Sequence, residues 1–168
     1  RLLITHREAD EAVLVLARGL AQLPDFEVYI TREGISSPTV EEGVMLLPCP
    51  PITGKVNLSV IRLLRRYTKQ YHFDLTYSPG SSGLSNVLMA TLGLGTKNVA
   101  YRGTGARVRR TDPTYYLGIL NPRVQHVVCE TEHVEGYLRG FFPEDMLTVA
   151  TKPFSLSWAD KALAAPIA

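Results

Sequence analysis

The stretch FDLTYSPGSSGLSNVLMA, residues 73–90, decides the fold class of this sequence. Residues 73–77 are a short, largely apolar run that predicts a strand, and the apolar spacing of residues 84–94 predicts a helix. The proline, glycines and serines between them predict a loop. A strand that leads directly into a helix is the repeating unit of a parallel sheet with helices packed on its faces.

The same order of strand and helix recurs along the rest of the chain. Further strands are predicted over residues 1–5, 26–31, 42–48, 97–103, 125–130 and 146–151. Further helices are predicted over residues 7–23, 57–71, 113–120 and 132–142. We therefore predict a three-layer α/β/α fold with a mostly parallel sheet of about seven strands.

The composition is ordinary for one globular domain. The chain has 168 residues, of which 45% are hydrophobic and 20% are charged, and its net charge is +2. This charge is too small to indicate a nucleic-acid partner, so any basic site must be local. No signal peptide is recognisable, and no apolar run approaches the roughly 20 residues that span a bilayer. Cys49 and Cys129 lie far apart, which favours free thiols in a reducing compartment.

Several common cofactor and catalytic sites are excluded by their missing motifs. A dinucleotide site needs a glycine-rich loop after the first strand, whereas residues 6–10 are HREAD. The P-loop, the G-x-S-x-G elbow and the zinc motif H-E-x-x-H are missing from the sequence as well. The histidines have no metal-ligand spacing, so no metal site is expected. They are His6, His72, His126 and His133.

The stretch YRGTGARVRRTDPTYYLGILNPR, residues 101–123, concentrates positive charge. It holds five arginines and a single acid, Asp112. Arg102 ends a predicted strand, where parallel sheets bind their ligands, and its guanidinium suits a phosphate or a carboxylate. The other arginines of this loop either extend that field or lie in water. They are Arg107, Arg109 and Arg110.

Two other loops at strand ends contain candidate ligand-binding groups. The loop SPGSSG carries the hydroxyls of Ser78, Ser81 and Ser82 just before a helix, which suits an anionic or hydroxyl-rich ligand. The alternative is a plain turn. Glu130 and His133 flank the end of a later strand, where they either transfer protons or cap the next helix.

A basic amphipathic helix is predicted over residues 55–71. Its apolar face is predicted at Leu58, Ile61, Leu64 and Tyr67 or Tyr71. Such a helix either rests on anionic lipid headgroups or covers the sheet with its basic face in water. The cations are Lys55, Arg62, Arg65, Arg66 and Lys69.

Five segments, taken in order, resemble the N-terminal domain of glycosyltransferases of GT-B fold, family 4. They are ITHREAD, FDLTYSPGSSGLSNVLMA, VAYRGT, DPTYYLGILNPRVQHVVCETEHVEGYL and LTVATKPFSLSW. The likeness runs from Arg1 to about residue 159, and its most specific parts are YRGT…DP…NPR and KPFSLSW.

The resemblance implies one half of a two-domain hexosyltransferase. Residues 1–158 would form a Rossmann-like N-terminal domain, and residues 159–168 a linker toward a C-terminal donor-binding domain. The enzyme would move a sugar from a nucleoside-diphosphate sugar, its co-substrate, to a glycan or lipid-linked acceptor. No tightly bound cofactor or metal is implied. Because the N-terminal half mainly receives the acceptor, the isolated half is expected to be inactive.

The resemblance also implies roles for individual residues. Arg102 matches the strand end where many relatives place a cleft-facing polar residue, often histidine, and is the implied catalytic residue. An arginine is too basic to be a general base, but it can stabilise a departing diphosphate or hold an anionic acceptor. The residues implied to bind the acceptor or the donor phosphate are His6, Arg7, Ser78, Ser81, Ser82, Gly103, Thr104, Glu130 and Lys152.

Two other functions stay open. An enzyme similar to nucleotide-sugar epimerases would need an acid and a base, for which Asp112, Glu130 and His133 are the candidates. A non-catalytic module would bind a polyanion or a membrane surface. We expect a cytoplasmic protein that acts on a cell-envelope glycan or glycolipid. Contact between helix 55–71 and the inner membrane face is a further hypothesis.

Overall fold

The computed structural model describes residues 1–6, 11–104 and 108–151. The strands within this part are β1 (Leu2–Ile4), β2 (Val28–Arg32), β3 (Thr39–Glu41), β4 (Val44–Pro48), β5 (Leu75–Ser78), β6 (Lys97–Arg102), β7 (Val124–Cys129) and β8 (Leu147–Val149). The α-helices are α1 (Glu11–Ala21), α2 (Leu58–Tyr71), α3 (Ser81–Ala90) and α4 (Glu132–Leu138). Short 3-10 helices lie at Pro113–Tyr115 and Glu144–Met146.

All these strands belong to one sheet, in the order β3-β4-β2-β1-β5-β6-β7-β8. The pairing is parallel throughout except between β3 and β4, which confirms the predicted Rossmann-like α/β class. The sequence prediction missed β3, because its three residues are exposed and form no apolar run. Glu42 and Gly43 join β3 to β4 with φ angles of 49° and 82°, and two positive angles are typical of tight hairpin turns.

The central strand β1 is buried on both faces, as its continuous apolar run predicted. Leu2 and Ile4 pack against Val13 and Ala17 of α1. Leu3 points to the opposite face, where it packs in one cluster with residues of α2 and α3. Helix α4 lies beside α3 in the neighbouring cluster. The sheet therefore has helices on both faces, and the three-layer prediction is confirmed.

Helix α2 begins where its predicted N-cap places it, and its buried face agrees with the prediction at Leu64 and Tyr67 but not at Leu58. The side chain of Asn57 accepts hydrogen bonds from two backbone N–H groups of the first turn, which confirms it as the N-cap. Val60, Leu64 and Tyr67 form the buried stripe, whereas Leu58 is 62% exposed. The prediction for Leu58 was wrong because two apolar stripes run along this helix, and packing on the sheet selects one of them.

Helix α3 begins at Ser81, three residues earlier than the predicted start at residue 84. Its first turn lies so close to β1 that a Cβ atom on Gly83 would be 2.8 Å from the carbonyl oxygen of Thr5. Such a distance is a steric clash, so the packing requires glycine. The hydroxyls of Thr5 and Ser78 also form a hydrogen bond of 2.6 Å. The ends of β1 and β5 and the start of α3 are therefore one packed unit.

A buried polar network holds the other end of α3. Asn98 of β6 has no exposed surface, and its Oδ1 accepts hydrogen bonds from Thr76 and Thr91 at 2.9 and 3.1 Å. The guanidinium of Arg123 donates to the Leu88 carbonyl and, at 3.0 Å, to the hydroxyl of Thr91. Arg123 thus bonds a carbonyl at the C-terminal end of a helix, where a cation is favourable.

Both cysteines are free, as the sequence predicted, and the structure shows that both are buried. Burial raises the pKa of Cys49 to about 11, and it also raises the pKa of Cys129. The thiolate is the reactive form of cysteine, so these thiols are unreactive near neutral pH.

An apolar cleft of about 300 Å³ lies between α1 and the face of β5, β6 and β7. Leu75, Tyr77, Val99 and Val128 line it and are only partly buried. In the described part of the chain, the helix on this face is α1, which packs mainly over β1, β2 and β4. Parallel sheets normally bury both faces, so this face has room for a further segment of protein.

The contact between Gly83 and Thr5 predicts the effect of adding one methyl group. We expect Gly83→Ala to lower the free energy of unfolding by about 1–3 kcal/mol, because the helix must move away from β1. Gly136 of α4 has no atom within 4 Å of a built Cβ, so Gly136→Ala is the matched control. It should be neutral or stabilising by about 1 kcal/mol. Equal urea midpoints for the two variants would contradict the close contact.

Arg123 predicts a second stability difference. Arg123→Met removes charged hydrogen bonds from a partly buried site and should lower the free energy of unfolding by about 1.5–3 kcal/mol. Arg109 is exposed in the same stretch of sequence, so Arg109→Met should change it by less than about 0.5 kcal/mol. Thermal or urea unfolding measures both variants. If Arg123→Met lowers the free energy of unfolding no more than Arg109→Met does, the bonds of Arg123 do not stabilise the end of α3.

Candidate functional site

The carboxyl ends of the parallel strands meet at one edge of the sheet, where ligands bind in folds of this type. A cleft of about 220 Å³ opens there between α3, the end of β6 and the segment around the 3-10 helix Pro113–Tyr115. Among its described lining residues, two are cations and none is an acid. The charged and polar lining residues are Lys55, Ser81, Ser85, Tyr101, Arg102, Thr114 and Tyr115.

Arg102 is the last residue of β6 and lies on the wall of this cleft. Its Nε donates a hydrogen bond of 2.8 Å to the carbonyl oxygen of Thr104. This bond ties the side chain of Arg102 to the backbone two residues after the strand end. The strand end predicted from the sequence is therefore where the cleft lies, and the catalytic role of Arg102 remains a prediction.

The first turn of α3 forms another wall of the cleft. Gly80 is the N-cap residue and supplies no side-chain cap. Ser81 is exposed and lines the cleft, whereas Ser82 is half-buried and its carbonyl accepts a hydrogen bond of 2.8 Å from Asn86. Backbone N–H groups at a helix start favour an anion, and so does the helix dipole. Ser81 and Ser82, which were predicted to lie in a loop, are thus the first two residues of a helix.

Ser78 and His6 lie near this edge but do not line the cleft. Ser78 is 1% exposed, and its hydroxyl is bonded to Thr5 beneath α3. Its role in ligand binding stays a prediction. The N–H of His6 donates to the Thr31 hydroxyl at 3.1 Å, and its carbonyl accepts from that hydroxyl at 3.2 Å. These contacts tie the end of β1 to β2.

Glu130 lies against the loop that follows Arg102. Its backbone N–H donates to the Arg102 carbonyl at 3.0 Å. A Cβ atom on Gly103 would be 2.6 Å from the Glu130 Oε2, so the carboxylate packs directly on this glycine. Gly103, Thr104 and Glu130 therefore surround the strand end that presents Arg102, although they do not line the cleft itself.

Lys55 is a cleft residue that the sequence interpretation assigned elsewhere. It was placed on the basic helix 55–71, but α2 begins at Leu58, so Lys55 belongs to the preceding loop. Its Nζ donates to the Thr114 carbonyl at 3.2 Å and lies 5.4 Å from the centre of the Tyr115 ring. The signals for a turn here were Gly54, which has a φ of 75°, and the N-cap Asn57.

Other predicted cations hold helix ends. Arg65 of α2 donates to the carbonyl of Ala90, the last residue of α3, at 3.0 Å and to that of Leu92, just beyond the helix, at 2.7 Å. Arg110 donates to the Gly140 carbonyl at 2.7 Å, and its guanidinium lies over the ring of Phe141. Neither belongs to the cleft. The remaining described cations of these segments are exposed: Arg62, Arg66, Lys69 and Arg109.

The candidate acid–base residues lie outside the cleft. Asp112 accepts a hydrogen bond of 2.9 Å from the Thr114 N–H, and its hydrogen bonds to Thr114 hold its pKa below the usual range. It caps the 3-10 helix and stays ionised at neutral pH, which makes it a poor proton donor. Helix α4 is capped by Thr131, and His133 is exposed in its first turn.

Arg7, Arg107 and Lys152 lie outside the described residues. Within residues 1–6, 11–104 and 108–151, no group of His, Cys, Asp and Glu side chains could hold a metal ion. No helix in that part of the chain has the length and apolar character to cross a membrane.

No family model matches the sequence, and no curated protein matches it significantly. Solved structures do match the fold. A glycosyltransferase from Rickettsia africae superposes with a TM-score of 0.65 and 15% identity, over 98% of this chain and 46% of that protein. Sucrose-phosphate synthase from Thermosynechococcus elongatus gives 0.60 and 11%, over 96% of this chain and 93% of that one.

A third similar structure is the UDP-N-acetylglucosamine 2-epimerase from Rickettsia bellii, with a TM-score of 0.64 and 11% identity. The match covers 98% of this chain and 49% of the epimerase. This chain thus spans about half the length of two of the three structures. At 11–15% identity, the likeness shows a shared Rossmann-like fold.

Proposed function

We propose that this chain is the acceptor-binding, N-terminal half of a glycosyltransferase of GT-B fold that resembles family 4. The enzyme would transfer a hexose from a nucleoside-diphosphate sugar to a glycan or glycolipid acceptor. The main support for this proposal is the cleft at the carboxyl ends of β5 and β6, because Arg102 and the start of α3 both line it. The fold that presents the cleft is shared with a glycosyltransferase and with sucrose-phosphate synthase.

In this proposal the residues of the cleft bind and orient the acceptor. The hydroxyl of Ser81 and the aromatic face of Tyr115 suit the hydroxyls and the apolar face of a sugar. Arg102 would stabilise the negative charge that develops on the departing diphosphate. Its guanidinium stays protonated, so deprotonation of the acceptor would require another group. The donor sugar would approach from the other half of the enzyme.

Two features support a second domain in the complete enzyme. Two similar structures are about twice as long as this chain, which covers 46% and 49% of them. The apolar cleft beside α1 is a sheet face with room for further protein. We therefore propose residues 1–158 as the N-terminal domain and 159–168 as the linker to the donor-binding domain.

The proposed location is the cytoplasm, with the acceptor presented at the inner membrane face. The exposed cations Arg62 and Arg66 of α2 support this placement, whereas Lys55 and Arg65 are engaged within the fold. Binding to anionic vesicles that weakens with salt would support such a contact.

The likeness to a UDP-N-acetylglucosamine 2-epimerase favours one alternative, an enzyme that inverts the configuration at one stereocentre of the sugar in a nucleotide-sugar. Epimerisation would proceed without any acceptor and would depend on titratable groups. Among those considered, Asp112 is committed to capping the 3-10 helix. Nucleotide-sugar isomers that interconvert in the absence of acceptor would favour the epimerase over the transferase.

We predict that these 168 residues alone release no nucleoside diphosphate from UDP- or GDP-sugars, because half of the site is missing. A chain that also contains the donor-binding domain should release it when acceptor is present. In that longer chain, Arg102→Gln should lower kcat by about 10²–10³-fold, as expected for a group that stabilises developing charge. A coupled assay for the released nucleotide measures both.

The matched control is Arg109→Gln, which removes an exposed arginine from the same loop and should leave kcat unchanged. Turnover by the 168-residue chain would contradict the assignment to half of an enzyme. Equal rates for the Arg102 and Arg109 variants would contradict the catalytic role of Arg102.

A further inference from the structure

The start of α3 has an unusual electrostatic environment. Helix N-termini carry partial positive charge and are stabilised by acids, not by cations. At this N-terminus the first-turn residue Ser81 shares a cleft of about 220 Å³ with both Lys55 and Arg102, and no acid is among the described lining residues. Gly80 provides no side-chain cap that would accept from the N–H groups. Positive charge therefore accumulates where the fold alone would favour negative charge.

Lys55 is held in this cleft by a buried amide. The side chain of Asn86, which is fully buried on α3, donates to the Gly54 carbonyl at 3.1 Å. Its Oδ1 accepts from the Asn57 N–H at 2.8 Å. These two bonds clamp the loop on either side of Lys55 against α3. A buried amide with both ends bonded rigidifies its neighbours, so the position of Lys55 is part of the packed structure.

Two carboxylates of the described residues lie near these cations. Asp112 lies close enough to Lys55 for their attraction to contribute to its lowered pKa, but its main bonds are with Thr114. The carboxylate of Glu130 packs on Gly103 behind the strand end. Neither side chain lines the cleft. Among the described residues that line the cavity, the charged ones are therefore the two cations, and a helix N-terminus lies beside them.

We propose that this cleft binds a phosphate group carried by the acceptor sugar, with Lys55 and Arg102 as its cationic ligands. The guanidinium of Arg102 has five N–H donors and would be shared between this phosphate and the departing diphosphate. The inference rests on the proposed function and adds the substrate class, a phosphorylated acceptor, and a specificity residue, Lys55. Donors reach the cavity from three directions: the loop before α2, the end of β6 and the first turn of α3. A tetrahedral phosphate presents oxygens in several directions, whereas a carboxylate presents two in one plane.

The test is an NMR titration of the 168-residue chain with glucose 6-phosphate, inorganic phosphate and glucose. Glucose 6-phosphate should produce saturable shifts of the Ser81, Ser82 and Gly83 amides and bind more tightly than inorganic phosphate. Glucose should bind at least tenfold more weakly, since one lost charged contact accounts for about that factor. If inorganic phosphate binds as tightly as the sugar phosphate, or if glucose does, the proposed acceptor class is wrong.

Variants assign the binding to Lys55. Lys55→Gln should weaken glucose 6-phosphate binding by about tenfold, and Lys55→Arg should restore most of it. Lys97→Gln is the control, because Lys97 begins β6, the strand that Arg102 ends, and its loss removes the same charge at the opposite edge of the sheet. Arg102→Gln tests the second cation independently if the Lys55 variant unfolds. If the Lys55 and Lys97 variants lose the same affinity for glucose 6-phosphate, the proposal of a specific phosphate site in the cleft is wrong.

The results that would contradict the present inference differ from those that would contradict the proposed function. Phosphate-dependent binding at α3 without any transfer by the longer chain would refute the glycosyltransferase assignment. Transfer by the longer chain to neutral acceptors, with no preference for phosphorylated ones, would refute the present inference and leave the glycosyltransferase assignment in place.

Discussion

The close contact between the first turn of α3 and the end of β1 is the constraint on which the candidate site depends. Gly83 allows the helix to approach Thr5, and the bond between Thr5 and Ser78 closes the space beneath it. The helix start is thereby fixed above the ends of β1 and β5, and Ser81 reaches the cleft beside Arg102. A larger residue at position 83 would move the wall of the cleft as well as loosen the core.

The fold was largely predictable because it is encoded in local apolar runs. A strand such as residues 1–5, buried on both faces, is recognisable without any tertiary information. The strand β3 was not predictable in this way, since its pairing depends on the Glu42–Gly43 turn and not on burial. The start of α3 was placed late for a related reason: serine and glycine are poor helix formers, and packing on Thr5 overrides that preference.

The candidate site was only partly predictable, since it depends on which side of a strand each residue faces and on contacts distant in sequence. The rule that ligands bind at the carboxyl ends of strands located Arg102. It could not separate Ser81, which lines the cleft, from Ser78, which is buried beneath the helix. Lys55 forms a hydrogen bond with Thr114, 59 positions away, and no local sequence pattern predicts that contact.

The two ends of α3 explain why clustered cations in this sequence have different roles. At its C-terminal end, Arg65 and Arg123 bond carbonyls that the helix leaves unpaired, which stabilises the fold directly. At its N-terminal end, Lys55 and Arg102 line the cleft beside the helix start, where the helix dipole disfavours cations. In our proposal an anionic ligand accepts from these cations and from the helix start, so cations would stabilise the fold at one end of α3 and bind the ligand at the other.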